Sequence, residues 1–478
     1  MSTIQTFAED APAAAQPAPA ATIAQAPATP AAAPDAQVME DLKKQIQALD
    51  QKLQTLDQQR QADQKSAAAK EADAAKAAKS TPKFSFGASG FSFSSPDTNF
   101  VFAFHGLLQV DSRSFAGPEA DTVQGLDGFI LRRARPIFSA TVFRDFDFML
   151  VPDFGGSTIQ IMDAYINYRL QPALQLEMGR FKSPVGLEAL QSDPATLFNE
   201  RSLVTDLVPN RDVGVALHGD VGSGVASYWA GLFNGAPDYS NTAGNSDYDN
   251  DKAFAGRIFF MPFKKSDMDF LKGFGFGCGA SYEVDAAWTN TTSTGLTSGY
   301  TTDGQQKFFT YTNNVVGNGT HWRVSPQGYY YWGPLGLMGE YAISDQEVVR
   351  VIPVRQSANL QHHAWEISGS VVLTGEAASY TGVTPKHNFD PLKGQWGAVQ
   401  AVARYAELHI DPDAFPYFAN PGASASQAQS WAVGFNWYLN RDIRVNASFS
   451  HTRFDGGTTG VVTRQPEQVF FTRMQLAF

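Results

Sequence analysis

Cysteine is almost absent: the chain of 478 residues holds one, Cys278. A single thiol excludes an internal disulfide framework and a cysteine-based zinc cluster. Charge is scarce too, with Asp, Glu, Lys and Arg making up 17% of the chain, below the usual share of about a quarter. That charge sums to −11, which argues against a general nucleic-acid binder. No apolar run reaches the roughly 18 residues that a membrane-crossing helix needs. Mean hydropathy is negative. No G-x-S-x-G or H-E-x-x-H motif occurs, so nothing points to catalysis, and no cofactor or metal is expected. The opening "MSTIQTFAEDAPAAAQ" lacks the apolar core of a secretory signal. An exported protein would therefore be represented here by a mature or truncated chain.

Aromatic residues are abundant, at 13% with 36 Phe, and three regions follow one another. Residues 1–37 are almost all Ala, Pro, Thr and Gln, a composition that cannot bury a core, so a disordered linker is expected. In 38–80, "MEDLKKQIQALDQKLQTLDQQR" sets Met39, Ile46 and Leu53 at one heptad position and Leu42, Leu49 and Leu56 at the other. That narrow stripe predicts an α-helical coiled coil, an oligomerisation stalk that leaves two or three strands open. A lone amphipathic helix packed on a domain is the plainer alternative.

Residues 84–478 carry a period of two. In "QVFFTRMQLAF" the mostly apolar Phe470, Thr472, Met474, Leu476 and Phe478 alternate with Phe471, Arg473, Gln475 and Ala477. In "SWAVGFNWYLNRDIRVNASFSHT", Trp431, Val433, Phe435 and Trp437 share a face, a short turn follows, and Arg444 lies on the polar face of the return strand. Half-buried soluble sheets and membrane barrels share this code. The length, the aromatic girdles and the closing strand ending at Phe478 favour the barrel. A strand-plus-loop unit of roughly 20 to 25 residues gives about 16 strands. The fold class expected is therefore all-β: a transmembrane antiparallel β-barrel preceded by a helical coiled coil. Sixteen strands would enclose an aqueous channel rather than a packed core, with Arg404, Arg444 and Arg473 pointing into water.

One stretch resists the code. "FILRRARPIFSATVFRDF" places Arg132 beside Arg133 and adds Arg135 two positions on. Neighbours on a regular strand face opposite ways. Both arginines reach one side only if a bulge or local twist intervenes. Otherwise the pair sits at a rim, meeting lipid headgroups or turn carbonyls.

This segment resembles the strand pair bearing the Arg-Arg signature of the phosphate/polyphosphate-selective porins O and P. So do "IMDAYINYRL", "LEMGRFKSPVGLEALQS", "FNERSLVTDLVPNRDVGVALHG", "WGAVQAVARYAEL" and "FNWYLNRDIRVNASFSH". The likeness runs from about residue 100 to the end. It implies a trimer of outer-membrane barrels that passes anions such as phosphate along an arginine-lined path. Position by position, Arg132 and Arg133 match the paired arginines of the constriction, Arg201 in "NERSL" an arginine of the loop folded into the pore, and Asp163 in "MDAY" an acid facing it. The resemblance and the helix-like "GLEALQ" suggest that loop 183–211 turns inward.

The sequence also departs from that pattern. Leu107 stands where the first strand is expected to carry an arginine, and the loop "TNTTSTGLTSGYTTDGQQKFFTYTNN" holds only Lys307. A non-selective general porin is therefore an alternative to a phosphate-like channel. For Arg201, Arg444 and Arg473 the plainer role is lumenal charge balanced by Asp and Glu. A third reading is an envelope tether, with the stalk in the periplasm reaching the cell wall and the barrel held by outer-membrane lipid and lipopolysaccharide. Asp247, Asp249 and Asp251 alternate in "DYDNDK"; a solvated outer loop is expected there rather than a calcium site.

Overall fold

The computed structural model describes residues 36–478 apart from 88–89, 117–124, 157, 239–250, 286–298, 351–352 and 459–463. Most of the expected linker, and Asp247 and Asp249, lie outside the described residues. The chain divides into two compact units, Met1–Ala78 and Lys79–Phe478.

The first unit is described through α1, Ala36–Ser80, whose sequence is rich in Ala, Gln, Lys and Leu and free of Gly and Pro. The heptad residues Met39, Leu42, Ile46, Leu49, Leu53 and Leu56 are between 49% and 60% exposed. No described helix is long and apolar enough to cross a membrane.

The second unit opens with a hairpin, β1 (Lys83–Gly87) and β2 (Gly90–Ser94). The wall begins with β3 (Phe100–Ala116), β4 (Gly128–Val142), β5 (Phe146–Asp153), β6 (Gln160–Gln171) and β7 (Leu174–Lys182). After a one-turn helix, α2 (Leu187–Leu190), come β8 (Arg211–Val221), β9 (Ala226–Phe233), β10 (Ala253–Phe260) and β11 (Phe274–Asp285). A small ribbon, β12 (Tyr300–Thr301) and β13 (Lys307–Phe309), stands apart from the wall. The wall resumes with β14 (Val315–Trp332), β15 (Leu335–Arg350), β16 (Gln356–Val372) and β17 (Ala398–His409). It ends with β18 (Ala425–Tyr438), β19 (Ile443–Gly456) and β20 (Glu467–Ala477).

Each strand of β3–β11 and β14–β20 pairs antiparallel with its neighbours, and β20 pairs with β3. The result is a closed barrel of sixteen strands, which leaves no free edge in the wall. The terminal Phe478 exchanges two backbone hydrogen bonds of 3.1 Å with Gly106. A Cβ at Gly106 would lie 2.6 Å from the Phe478 ring, so glycine is what lets the last side chain settle there.

The alternation sorts side chains as a barrel requires. Trp431, Val433, Phe435, Phe470 and Met474 are exposed on the outer face, while Asn436, Arg444, Arg473 and Gln475 are buried on the inner one. The connections also sort by end. Tight turns such as 333–334 and 439–442 mark one end, the turn end; longer segments mark the other, the loop end. Segments 261–273 and 373–397 are longer connections at the turn end.

The interior departs from an open aqueous tube. Segment 183–210 enters the barrel, and Leu203, Val204 and Leu207 pack with Phe308, Phe309 and Phe418 against Leu360 and Leu408 of the wall. Inward alanines make the room: Ala342 pairs with Ala364, and Ala406 and Ala428 follow on the next two strands. Each buried Leu or Phe contributes about 1.5–3 kcal/mol. Apolar loops have thus built a core inside the wall. Val185 runs so close to β11 that a Cβ on Gly279 would meet its carbonyl oxygen at 2.1 Å.

Candidate functional site: an arginine cavity beside an inward loop

The site starts from a register shift. Gln109 pairs with Arg133, but Val110 pairs with Leu131, so β4 carries Arg132 as an extra, unpaired residue. This bulge answers the puzzle of adjacent arginines. Arg133 and Arg135 face inward on the regular alternation, and the bulge lets Arg132 face inward as well, where it meets the inserted segment.

That segment supplies the counterions. The Arg132 Nε and Nη2 donate to the two Glu200 carboxylate oxygens at 2.6 and 2.8 Å, and Arg113 joins at 3.1 Å. Arg133 lies 3.3 Å from Asp193 and donates to Gln109 Oε1 at 2.8 Å. Arg201 lies 2.9 Å from Asp193 and also donates to the carbonyls of Glu188 and Gln191. Arg135 bridges Asp153 at 2.6 Å and Asp193.

Both loop carboxylates are buried, which alone would raise their pKa. For Glu200, Arg132 ahead of Arg133 and Arg113 outweighs that and holds the carboxyl well below its usual range. Arg133, Arg201, Arg135 and Lys182 do the same for Asp193. Both therefore stay ionised throughout the physiological range.

Between these groups lies a cavity of about 470 Å³. Among the described residues its charged lining is six arginines (113, 132, 133, 135, 201 and 211) against Asp153, Asp193 and Glu200, an excess of three positive charges. Guanidinium groups on this scale can replace the hydration shell of a small oxyanion with charge-assisted hydrogen bonds.

The other residues singled out from the sequence lie elsewhere. Asp163 accepts from Arg211 at 2.9 and 3.2 Å, on the turn side of the inserted segment. Arg404 joins Glu188 at 3.3 Å, Asp303 at 3.0 Å and the Glu200 carbonyl at 3.0 Å. Arg444 donates to the Thr196 carbonyl at 2.9 Å. Arg473 forms a two-pronged pair with Asp111 at 2.6 and 2.7 Å. These three point inward but are buried under the inserted segment and its neighbours, not into open water; none lines the cavity. Leu107 faces inward opposite Arg135.

Arg113, Arg135, Arg211, Asp193 and Glu200 were not among the residues chosen from sequence. Arg135 follows from Arg133 by the period of two, and Arg113 from the inward face of β3. The loop acids had only a general signal, that arginines on a folded-in loop need counterions.

A sixteen-stranded closed barrel with a segment folded inside it defines the porin class. Residues 102–478 match the phosphate-selective porin O and P family, and the chain belongs to that family. It is 24% identical over 413 residues to Porin O of Pseudomonas aeruginosa, covering 80% of this chain and 90% of the relative. Among solved structures, the outer-membrane channel DcaP of Acinetobacter baumannii aligns over 80% of this chain and 98% of its own. That match has a TM-score of 0.50 at 10% identity and concerns the fold. The protein is an outer-membrane porin, and family and fold indicate a channel rather than an enzyme.

Glu200 is where a small change tests the electrostatics. Glu200→Gln removes one negative charge from the cavity and keeps a hydrogen-bond acceptor for Arg132. The expected result is a stronger anion preference, by about fivefold in permeability ratio, since a charge at this distance acts with ~1 kcal/mol through water. Zero-current potentials of the two proteins under a salt gradient measure it.

Proposed function

We propose that the chain is an anion-preferring diffusion channel whose narrow point is the arginine cavity beside segment 183–210, with phosphate-like oxyanions as solutes. The observation that carries this reading is the excess of arginine over carboxylate in that cavity. Arg132, Arg133 and Arg201 handle the anion there. Asp163, Arg404, Arg444 and Arg473 act at a distance, by holding the inserted segment and wall in place. Several contacts of moderate strength allow entry without trapping.

The exposed heptad seam of α1 asks for partner helices. In this reading three copies pair through a coiled coil over 38–80, after a linker over 1–37 and before the barrel over 84–478. The stalk stands in the periplasm and reaches toward the cell wall. Outer-membrane lipid and lipopolysaccharide surround the wall. Deleting residues 1–80 should leave a barrel that inserts but survives less heat as an oligomer on gels.

Channel recording in a planar bilayer tests the main reading. Discrete steps in KCl, reduced as phosphate is titrated in, support it. Steps that ignore phosphate support a general porin, for which Leu107 in place of a first-strand arginine and the arginine-free loop that holds only Lys307 would be the reason.

A further inference from the structure

A second chamber of about 690 Å³ lies on the turn side of segment 183–210, and its chemistry differs from the first. Arg135, Asp193 and Arg211 line both spaces, so the two adjoin across the inserted segment. Among the described residues the first space has no aromatic side chain in its lining. The second is walled by Tyr165, Phe181, Trp229, Phe259, Tyr329 and Tyr380.

Their arrangement is fixed. Tyr329 stacks on Tyr380 at 5.3 Å between ring centres and tilts against Phe259 at 5.0 Å. Trp229 lies flat on His218 at 4.0 Å. Tyr380 comes from segment 373–397; its hydroxyl donates to the Leu187 carbonyl at 2.6 Å, and its own carbonyl accepts from Gln191 at 2.7 Å.

One cation in this cage is poised differently from those above. The Arg257 guanidinium sits 4.4 Å above the Phe259 ring, and its Nε donates to Gln327 at 2.8 Å. Among the described residues its side chain bonds to Gln327 and to no carboxylate, while the acids that line the chamber are Asp163, Glu177, Asp193 and Asp220. Lys264 reaches the same chamber.

Resting on the porin reading, we propose that this chamber is a second subsite for organic anions that carry a ring. Arg257, with Lys264, receives the acidic group; Tyr329, Tyr380 and Phe259 take the ring. An inorganic ion gains nothing from an aromatic wall, whereas a ring gains stacking and leaves water. The volume falls in the range of small-molecule sites, about 300–1,000 Å³. The solute class is therefore aryl phosphates and comparable ring-bearing acids, in addition to bare oxyanions.

The test uses the intact protein in a planar bilayer, with phenyl phosphate and inorganic phosphate added to each side in turn. Phenyl phosphate should interrupt the current at a concentration about tenfold lower than phosphate. Arg257→Gln and Tyr329→Leu should each remove that advantage, and the uncharged change Tyr329→Leu should leave the KCl conductance and the phosphate effect as they are. Equal potency of the two compounds in the unaltered protein overturns the subsite, whether or not either variant folds. So does an advantage that persists in both variants. Failure of the porin reading would look different: no conductance steps in KCl from the unaltered protein.

Discussion

Replacing Asp193 with alanine should loosen the inserted segment and destabilise the barrel more than any other single change at the site. One carboxylate there faces three guanidiniums: Arg201 at 2.9 Å, Arg133 at 3.3 Å, and Arg135 in close contact. All are substantially buried. Removing the acid leaves like charges crowded together out of water, a change that costs about 3–5 kcal/mol when a buried pair is broken. The expected signs are a higher and noisier KCl conductance, protease cleavage within 183–210, and a lower unfolding temperature. Asp193→Asn should fall between, since it keeps an acceptor without the charge. The pH dependence has a definite sign. The Arg133, Arg201 and Arg135 charges overcome burial and hold the Asp193 pKa well below its usual value. Its contribution is therefore fully present above the unfolded carboxylate value, about 4, and is lost only as pH falls through the depressed folded value. Conductance should accordingly be steady from pH 8 to about 5. A steep change within that interval would place the controlling group elsewhere.

Replacing Arg133 with alanine should have the largest effect on anion handling at the smallest cost to the fold. Asp193 keeps Arg135 and Arg201, so the inserted segment retains two of its three anchors. The cavity loses one guanidinium and one positive charge. A hydrogen bond to a charged group contributes about 1.5–3 kcal/mol, which corresponds to roughly a ten- to hundredfold weaker phosphate effect on the current. Arg133→Lys should recover the charge but not the fork-shaped geometry, and so only part of the effect. An Arg133→Ala channel with unaltered phosphate sensitivity would move the anion contact to other arginines.

The sequence carried the wall far better than its contents. Strand alternation is a short-range property, and Trp431, Phe435, Phe470 and Met474 declare an outer face without reference to any distant residue. Arg132 and Arg133 could be read as a pair needing a bulge, because neighbours cannot otherwise share a side; the shift opposite Gln109 and Val110 is that bulge. The interior depends on pairs far apart in the chain. Arg404 meets Glu188, and Arg444 meets the Thr196 carbonyl, across more than 200 positions. No periodicity encodes such partners, so an inward arginine that anchors a loop looks the same in sequence as one that lines a passage. The packed core followed the same rule: alanines at 342, 364, 406 and 428 look unremarkable strand by strand, and only their adjacency makes a bed for the loop.

The zero-current potential across a planar bilayer under a KCl gradient reads the role of the arginine cavity without an intermediary. It should be made for the unaltered protein and for a double Arg132→Ala, Arg133→Ala variant. If the arginine cavity sets the preference, the unaltered channel gives a potential of the sign expected for chloride permeation. The double variant should shift it toward zero, with its single-channel conductance preserved or raised. A potential near zero or of cation sign in the unaltered protein would remove that role from the cavity, as would an anion-signed potential that the double variant leaves unchanged.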